Sequence, residues 1–242
     1  MAITWANLVP HCASCLKWSG AMVLAYAVAM LVLSRFGLEG LRLKRLAGFI
    51  SMYPFIVIMC IFAHCGTWFH VANQASRVAD SNGHIDNFAI LYIASNVVQA
   101  LGQVQTESGL FLCQLMAHHI LSIGCFTGGF YFDRLRFWTA LAGLCEVTNL
   151  FLVWVFVAKE APHIKKHRWY AVNGMMLWIT FVVYRLVLFP IWLYMWYSDQ
   201  MPATLHPFEK YGYPATIWGL LVLSTLWFRQ VHNGLKKSLK SD

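Results

Sequence analysis

Charged side chains are scarce in this sequence. Asp, Glu, Lys and Arg together supply 12% of its residues, whereas a soluble globular domain carries about 25%. Apolar residues make up 59%, so the chain cannot cover an apolar core with a water-compatible surface of normal polarity. This scarcity excludes an ordinary soluble domain. It points to lipid as the solvent, in which an apolar run of ~20 residues forms a spanning helix.

Several motifs are also missing. The sequence contains no Asn-x-Ser/Thr sequon, so N-glycosylation is not expected. No H-x-x-H-H cluster occurs, which argues against a membrane di-iron oxidase. The lone C-x-x-C of Cys12 and Cys15 has no second pair of ligands, as a structural zinc site would need. A local disulfide, a palmitoylated thiol or an inert pair remain open for these two cysteines.

The net charge of +8 does not indicate a nucleic-acid partner. The basic residues are not interleaved with aromatic residues on a soluble face; they lie between apolar runs. Basic loops that flank membrane spans explain this placement. The abundance of Trp and Tyr agrees with it, because these residues concentrate at membrane interfaces. We therefore expect membrane lipids, and no nucleic acid, as partners.

Seven apolar runs are present. They predict an all-α polytopic integral membrane protein with about seven transmembrane helices. The third run is the most polar, and we expect its amide side chains to face the interior of the bundle. The predicted spans are 18–34, 49–71, 86–104, 110–130, 137–158, 171–197 and 212–232.

The distribution of Lys and Arg predicts the orientation. Seven spans place twelve basic residues on the side that carries the C-terminus and five on the opposite side. The positive-inside rule then puts the C-terminus in the cytosol and the N-terminus in the lumen. We divide the chain into a lumenal N-terminus with the first helix (1–39), a six-helix membrane domain (40–238) and the end of a cytosolic tail (239–242).

Ionisable side chains lie near the centres of three successive spans. They are His118 and His119 in the fourth span, Glu146 in the fifth and Arg185 in the sixth. Each ionised group inside a bilayer costs ~2.5–3.5 kcal/mol on insertion scales, so such groups are functional candidates by default. Asn96 lies at similar depth in the third span.

Helical spacing suggests how these groups are arranged. Gln114 precedes His118 by four residues and extends its face, and Glu146 and Asn149 share a face at i and i+3. Glu146 and Asn149 could orient an imidazole, or Glu146 could form a structural ion pair with Arg185. The histidines could likewise be structural hydrogen-bonding groups. The spacing does not require a metal, and we expect none.

Proline should distort the sixth span close to Arg185. Pro190 follows Arg185 by five residues. It removes a backbone hydrogen bond and should bend the helix there.

Four stretches resemble the TLC-domain family, the membrane fold shared with ceramide synthases. They are the paired histidines of Met116–Ser122, the acidic, hydroxyl and amide pattern of Glu146–Leu152, the Arg-then-Pro helix of Val182–Pro190, and the aromatic last helix with its basic exit, Leu226–Phe228 followed by Gly234–Lys237. The resemblance extends over roughly residues 40–238, and its strength lies in the order and spacing of the four stretches.

The resemblance implies a barrel-like helical bundle around a lipid-accessible cavity, in the endoplasmic reticulum membrane. In members of the family that transfer acyl groups, the paired His is the expected catalytic base. Ceramide synthases carry further Asp residues in a His-Asp pattern, but the segment Leu144–Thr148 has neither His nor Asp, and Ser95-Asn96 stands where many relatives carry an Asp. The chain therefore looks closer to the smaller TLC proteins that are not ceramide synthases.

Two functions follow as hypotheses. The first is a lipid acyltransferase or transacylase that uses acyl-CoA or a phospholipid as donor and no other cofactor. His118 or His119 would act as the base with Glu146 and Asn149 in the catalytic group, and Arg185, Asn96 and Gln114 would bind substrate. The second is a non-catalytic protein that senses, transports or binds lipid or cargo. A proton-coupled transporter would also use such groups, but no inverted repeat is visible.

Overall fold

The computed structural model describes residues 8–68, 70–71, 77–78, 82–199 and 203–238. Helices make up almost all of these residues, and none of them lies in a strand. The α-helices are α1 (Val9–Ser34), α2 (Gly40–Trp68), α3 (Gly83–Thr106), α4 (Gly109–Tyr131), α5 (Arg136–Gly143), α6 (Val147–Glu160), α7 (Arg168–Phe181), α8 (Leu188–Ser198) and α9 (Tyr213–Ser238).

Two pairs of these α-helices continue into one another through irregular turns. The 3-10 turn Leu144–Glu146 joins α5 to α6, and the π-helical turn Val182–Val187 joins α7 to α8. A second π-helical turn, Phe208–Gly212, leads into α9. The described residues therefore form seven long helical segments, one for each predicted span.

The predicted all-α polytopic membrane fold is confirmed. Within the described part of the chain, five helical segments are long and apolar enough to cross a membrane: Val9–Ser34, Gly40–Trp68, Gly109–Tyr131, Arg136–Glu160 and Arg168–Ser198. The third and seventh predicted spans are helical, but they do not reach the same hydropathy, because α3 carries several amides and α9 ends in basic residues. The count of seven spans and their orientation stay predictions.

The first helix begins earlier than its apolar run predicts. It starts at Val9, with Pro10 in its first turn, where proline fits a helix well. Cys12 and Cys15 therefore lie inside α1, and both are free thiols, so the structure contains no disulfide between them. Met22 is the buried residue of α1, and Cys15, Trp18 and Leu33 are partly buried against the core, so one face of this helix packs on the bundle while the opposite face is exposed.

A side-chain cap explains where α3 begins, and a glycine with positive φ stands at the first residue of α4. The Asn82 side chain accepts hydrogen bonds from the backbone N–H groups of His84 and Ile85, which satisfies two otherwise free donors at the start of α3. Only Glu107 and Ser108 separate α3 from α4, and Gly109 adopts a positive φ of 65°. Such a backbone is costly for other residues. This short link sets α3 and α4 side by side.

The buried core is rich in aromatic side chains. Trp138, Trp192 and Trp196 pack against one another, and the Trp192 indole donates to the Trp138 carbonyl oxygen at 2.8 Å. Beside them, Gly143 lies so close to the Phe88 ring that a Cβ at Gly143 would overlap Phe88 Cζ. This approach brings α5 against α3.

Ion pairs hold the two ends of the bundle. At one end the Arg45 guanidinium contacts Glu107 and Glu160, which joins α2 to the α3–α4 link and to the end of α6. At the other end Arg134 donates through Nε to Glu209 at 2.7 Å. This hydrogen bond raises the pKa of Arg134 above its ordinary value. The bundle is therefore closed by polar contacts where its helices leave the apolar layer.

Candidate functional site

A buried hydrogen-bonded unit surrounds His119 in the middle of α4. His119 Nδ1 lies 2.7 Å from Asn96 Oδ1 on α3, and Nε2 lies 2.8 Å from Gln103 Oε1. The His119 side chain is only 4% exposed, and Asn96 is 3% exposed. Because Asn96 and Gln103 are seven residues apart, two helical turns of α3 present them on the same face.

The hydrogen bonds of Asn96 determine the tautomer of His119. The Asn96 Nδ2 group donates to the Tyr92 carbonyl oxygen at 2.8 Å, so its Oδ1 faces the imidazole. An amide oxygen can only accept, and His119 Nδ1 must therefore carry the proton. Nε2 faces Gln103 Oε1, which is also an acceptor, so a neutral ring with its lone pair on Nε2 requires the Gln103 amide to be assigned with its NH2 group toward the imidazole. Exchanging the amide N and O leaves the shape of the side chain unchanged. His119 thus has the orientation of an imidazole held ready to accept a proton at Nε2.

His118 faces a different direction from His119. Its ring lies 6.0 Å from the Trp227 ring of α9. The Trp227 indole donates to Gln114 Oε1 at 3.3 Å, so Gln114 bonds to Trp227. His118 Nδ1 is buried and finds no hydrogen-bond partner among the described residues. His118 is also within electrostatic range of Arg185.

Glu146, Asn149 and Arg185 form a second polar group. Asn149 Nδ2 donates to Glu146 Oε2 at 2.8 Å, and Arg185 Nη2 reaches Asn149 Oδ1 at 3.5 Å. Arg185 Nε donates to Thr148 Oγ1 at 2.8 Å, and its guanidinium lies 5.2 Å from the Phe181 ring centre. Glu146 is 3% exposed and Arg185 is 4% exposed. The neutral Asn149 side chain therefore links the Glu146 carboxylate to the Arg185 guanidinium inside the bundle.

Two of the expected arrangements are wrong. Glu146 and Arg185 make no direct ion pair, since no ion pair among the described residues joins them. The pair of Glu146 and Asn149 does not orient an imidazole either; Asn96 does so from another helix. The spacing of residues on one helix cannot show which side chain of a neighbouring helix will form the hydrogen bond.

Irregular helical turns place the charged residues of this second group. Glu146 ends the 3-10 turn Leu144–Glu146, and Arg185 lies within the π-helical turn Val182–Val187. Pro190 has no N–H to donate to the Leu186 carbonyl oxygen. The regular α-helical hydrogen bonding is therefore interrupted at the π-helical turn. Proline therefore does distort the sixth span near Arg185, as predicted. A π-helical turn widens the helix and often marks a functional position.

The matched family agrees with this architecture. The family model of the TLC domain matches residues 48–232, which is more than half of the chain and includes both polar groups. The protein belongs to the TLC-domain family. A comparison with curated proteins finds no match.

Within the TLC domain, the structure shows contacts that the sequence did not indicate. Gln103 and Tyr92 complete the surroundings of His119, Trp227 contacts the first His of the pair, and Thr148 holds Arg185. The seven-residue interval between Asn96 and Gln103 was a usable signal for Gln103. No sequence signal indicated Trp227, because its contact with α4 depends on helix packing.

The TLC bundle contains cavities of very different size. A cavity of about 20 Å³ adjoins Tyr92 and Ser122, which is room for roughly one water molecule. A larger cavity of about 340 Å³ lies elsewhere, between α2, α6 and α7. Among the described residues, no cluster of three His, Cys, Asp or Glu side chains has the arrangement of a metal site.

Proposed function

We propose that this TLC-domain protein acts in lipid metabolism by transferring an acyl group to a lipid amine or hydroxyl, with His119 as general base. The observation that carries the proposal is the hydrogen bond between His119 Nδ1 and Asn96 at 2.7 Å. This hydrogen bond keeps the proton on Nδ1, so the lone pair of a neutral ring is on Nε2. The His119 side chain is buried near the middle of its span. An oriented imidazole of this kind contributes typically 10²–10⁴-fold to a proton-transfer step.

The reaction moves one proton and exchanges one bond. The amine or hydroxyl of the acceptor lipid replaces the Gln103 amide at Nε2 and gives its proton to His119 as it attacks the acyl carbonyl carbon. The bond from that carbon to the thiol sulfur of acyl-CoA, or to the alkoxide oxygen of a donor phospholipid, then breaks. The leaving group takes the proton back from His119, which returns the ring to its neutral form.

Gln103 supplies a route to the buried base. Its side chain is only partly buried, and its neighbours Leu101 and Val104 are 64% and 59% exposed on the outer surface of α3. In a membrane protein that outer surface faces lipid. A lipid acceptor that approaches between α3 and α4 therefore meets Gln103 before it meets His119.

Arg185 offers positive charge for the negative oxygen that develops during acyl transfer. Arg185 is held by Thr148 and Asn149. Fixed charges in a dry interior stabilise a developing oxyanion more strongly than they do in water. Glu146 would offset the cost of keeping this guanidinium buried, through Asn149.

The missing His-Asp pattern supports a place among the smaller TLC proteins rather than the ceramide synthases. Residence in the endoplasmic reticulum, with a lumenal N-terminus and a cytosolic C-terminus, belongs to the same proposal. The orientation is supported by the distribution of Lys and Arg along the chain. A C-terminal tag protected from protease added on the cytosolic side would contradict this orientation.

The test is lipidomics of cells that lack the protein, restored with wild type, His119→Gln or His118→Gln at equal expression. We expect wild type to restore one class of acyl lipid and His119→Gln to fail while its thermal unfolding in detergent stays close to that of wild type. If His119→Gln restores the lipid as well as wild type does, His119 is structural and the acyl-transfer proposal is overturned.

A second candidate is a non-catalytic protein that binds a membrane lipid. The cavity of about 340 Å³ favours it, because that cavity lies apart from the histidines. Under this alternative, substitutions in the cavity would change cellular lipids, whereas His119→Gln would not. The same cells distinguish the two functions.

A further inference from the structure

The larger cavity is a groove on the outer side of α6. Tyr53 of α2 forms one wall, Trp169 and Asn173 of α7 form the other, and three residues of α6 complete the lining: Leu150, Phe151 and Trp154. Its volume is about 340 Å³, close to the lower limit of typical ligand sites. None of these side chains hydrogen-bonds to His119, Glu146 or Arg185. We call this cavity the α6 groove.

Aromatic packing forms the α6 groove and suggests its depth in the membrane. The Trp154 ring lies edge-on to Tyr53 at 5.6 Å and to Trp169 at 5.5 Å. Trp169 is 44% exposed and stands at the start of α7, next to a basic loop. Trp and Tyr in this setting are typical of the membrane–water interface, so a ligand here would have an apolar part and a polar end.

Asn173 brings a free acceptor into the apolar wall. Its Nδ2 group donates to the Phe151 carbonyl oxygen at 3.0 Å. Its own amide oxygen accepts no hydrogen bond from the residues that the structure describes. Asn173 is 7% exposed and lines the groove, and its oxygen is not among the fully buried side-chain atoms that lack a partner, so the groove gives access to it. A ligand hydroxyl would satisfy it.

Basic residues lie next to the groove along the chain, immediately before Trp169. The 3-10 turn Pro162–Lys166 joins α6, the floor, to α7, the wall. Lys165, Lys166 and Arg168 are exposed. None of them is in an ion pair with an acidic side chain within the described part of the chain, whereas Arg45 at the same end is paired twice. Arg168 precedes Asn173 by five residues, roughly 8 Å along the helix and about 140° around its axis. A single headgroup that places an anion at the loop and a hydroxyl at Asn173 therefore has to extend around the start of α7.

We propose that the α6 groove binds a single-chain anionic phospholipid, a lysophospholipid. Its one acyl chain lies along the aromatic lining, its free glycerol hydroxyl donates to the Asn173 oxygen, and its phosphate contacts Lys165, Lys166 and Arg168. The small volume favours one chain over two. The Asn173 oxygen favours a lipid with a free hydroxyl. Lys165, Lys166 and Arg168 favour a phosphate over an uncharged headgroup.

The test uses the full chain in phosphatidylcholine nanodiscs with three brominated lipids as probes. Lysophosphatidic acid has every required feature, monoacylglycerol lacks the phosphate, and phosphatidic acid has a second chain in place of the hydroxyl. Bromine quenches nearby indoles, and the difference between wild type and Trp154→Phe/Trp169→Phe isolates the groove signal. We expect lysophosphatidic acid to quench at the lowest mole fraction.

Charge and hydroxyl recognition are tested separately. We expect Lys165→Gln/Lys166→Gln/Arg168→Gln to weaken binding of lysophosphatidic acid by roughly tenfold or more, and Asn173→Leu to weaken it by roughly fivefold. The matched control Arg35→Gln/Arg42→Gln/Lys44→Gln removes three exposed basic residues around the start of α2 and should leave binding unchanged. Each variant is first compared with wild type in thermal unfolding.

Two results would overturn the proposal. Equal quenching by all three lipids would show that ordinary boundary lipid fills the groove. An equal loss in the control triple variant would show that general surface charge attracts the probe. His119→Gln should bind lysophosphatidic acid like wild type, so the proposal can fail or succeed independently of acyl transfer.

Discussion

Glu146 and Arg185 are both buried near the middle of the bundle, yet they do not touch. Asn149 lies between them, donating to Glu146 Oε2 and accepting from Arg185 Nη2. A direct pair would neutralise both charges within one contact. In the bridged arrangement Asn149 and Thr148 hold the orientation of the guanidinium, which also lies against the Phe181 ring.

The bridge predicts a stability cost for Asn149→Leu. Leucine has a similar volume but no polar atoms, so Glu146 and Arg185 both lose a partner inside the apolar layer. We expect a loss of about 2–4 kcal/mol, measured as the free energy of unfolding in mild detergent. Asn233→Leu, at an exposed position of α9, is the matched control and should change stability little. Equal stability of both variants would show that Asn149 does not connect the charges.

The same bridge predicts non-additive effects of the two charges. Glu146→Gln leaves a buried cation and Arg185→Met leaves a buried carboxylate, so each single change should destabilise the fold. The double variant removes both charges, and its loss should be smaller than the sum of the two single losses by about 0.5–3 kcal/mol. Additive losses in the double-mutant cycle would contradict the predicted coupling through Asn149.

The contact between Gly143 and Phe88 predicts a severe effect of one methyl group. In Gly143→Ala the new Cβ would overlap Phe88 Cζ, and Phe88 is fully buried. We expect a loss of about 1–3 kcal/mol through overpacking, partly reversed by Phe88→Leu. Gly124→Ala is the control, because a Cβ at Gly124 would have nothing within 4 Å. That change should leave thermal unfolding unchanged or raise its midpoint.

The Asn96–His119 hydrogen bond predicts a change of tautomer. Asn96→Leu removes the acceptor that holds the proton on Nδ1, so the ring should populate the Nε2–H form, which nitrogen NMR of labelled histidine detects. Turnover in the acyl-transfer assay should fall by roughly 10- to 100-fold, and Asn96→Asp, which keeps an acceptor oxygen, should retain the tautomer. An unchanged tautomer in Asn96→Leu would show that another group orients the ring.

The Arg134–Glu209 contact predicts that lysine cannot replace this arginine. Glu209 is fully buried, receives two guanidinium nitrogens and also accepts from the His206 backbone N–H. A single ammonium cannot reproduce this forked geometry. We expect Arg134→Lys to lower the thermal midpoint and Arg134→Met to lower it further, with losses up to about 3–5 kcal/mol for an unpaired buried carboxylate. Lys210→Met, an exposed change nearby, should have little effect.

Composition and periodicity determined the membrane class and the seven helical segments of this protein. Both follow from the free energy of moving side chains and backbone between water and lipid, which depends on local sequence. The depth of His119, Glu146 and Arg185 also follows from the chain, since position along a helix sets depth. The apolar run misplaced the start of α1, because this helix begins at Val9 and includes residues before the run.

Only the tertiary structure decided which polar groups meet. Asn96 rather than Glu146 orients His119, and Asn149 separates two charges that seemed matched as a pair. Helix rotation and the irregular turns at Leu144–Glu146 and Val182–Val187 produce these contacts. They depend on how seven helical segments pack together, because a hydrogen bond requires side chains of different helices to meet within about 3 Å. No spacing within one helix contains that information.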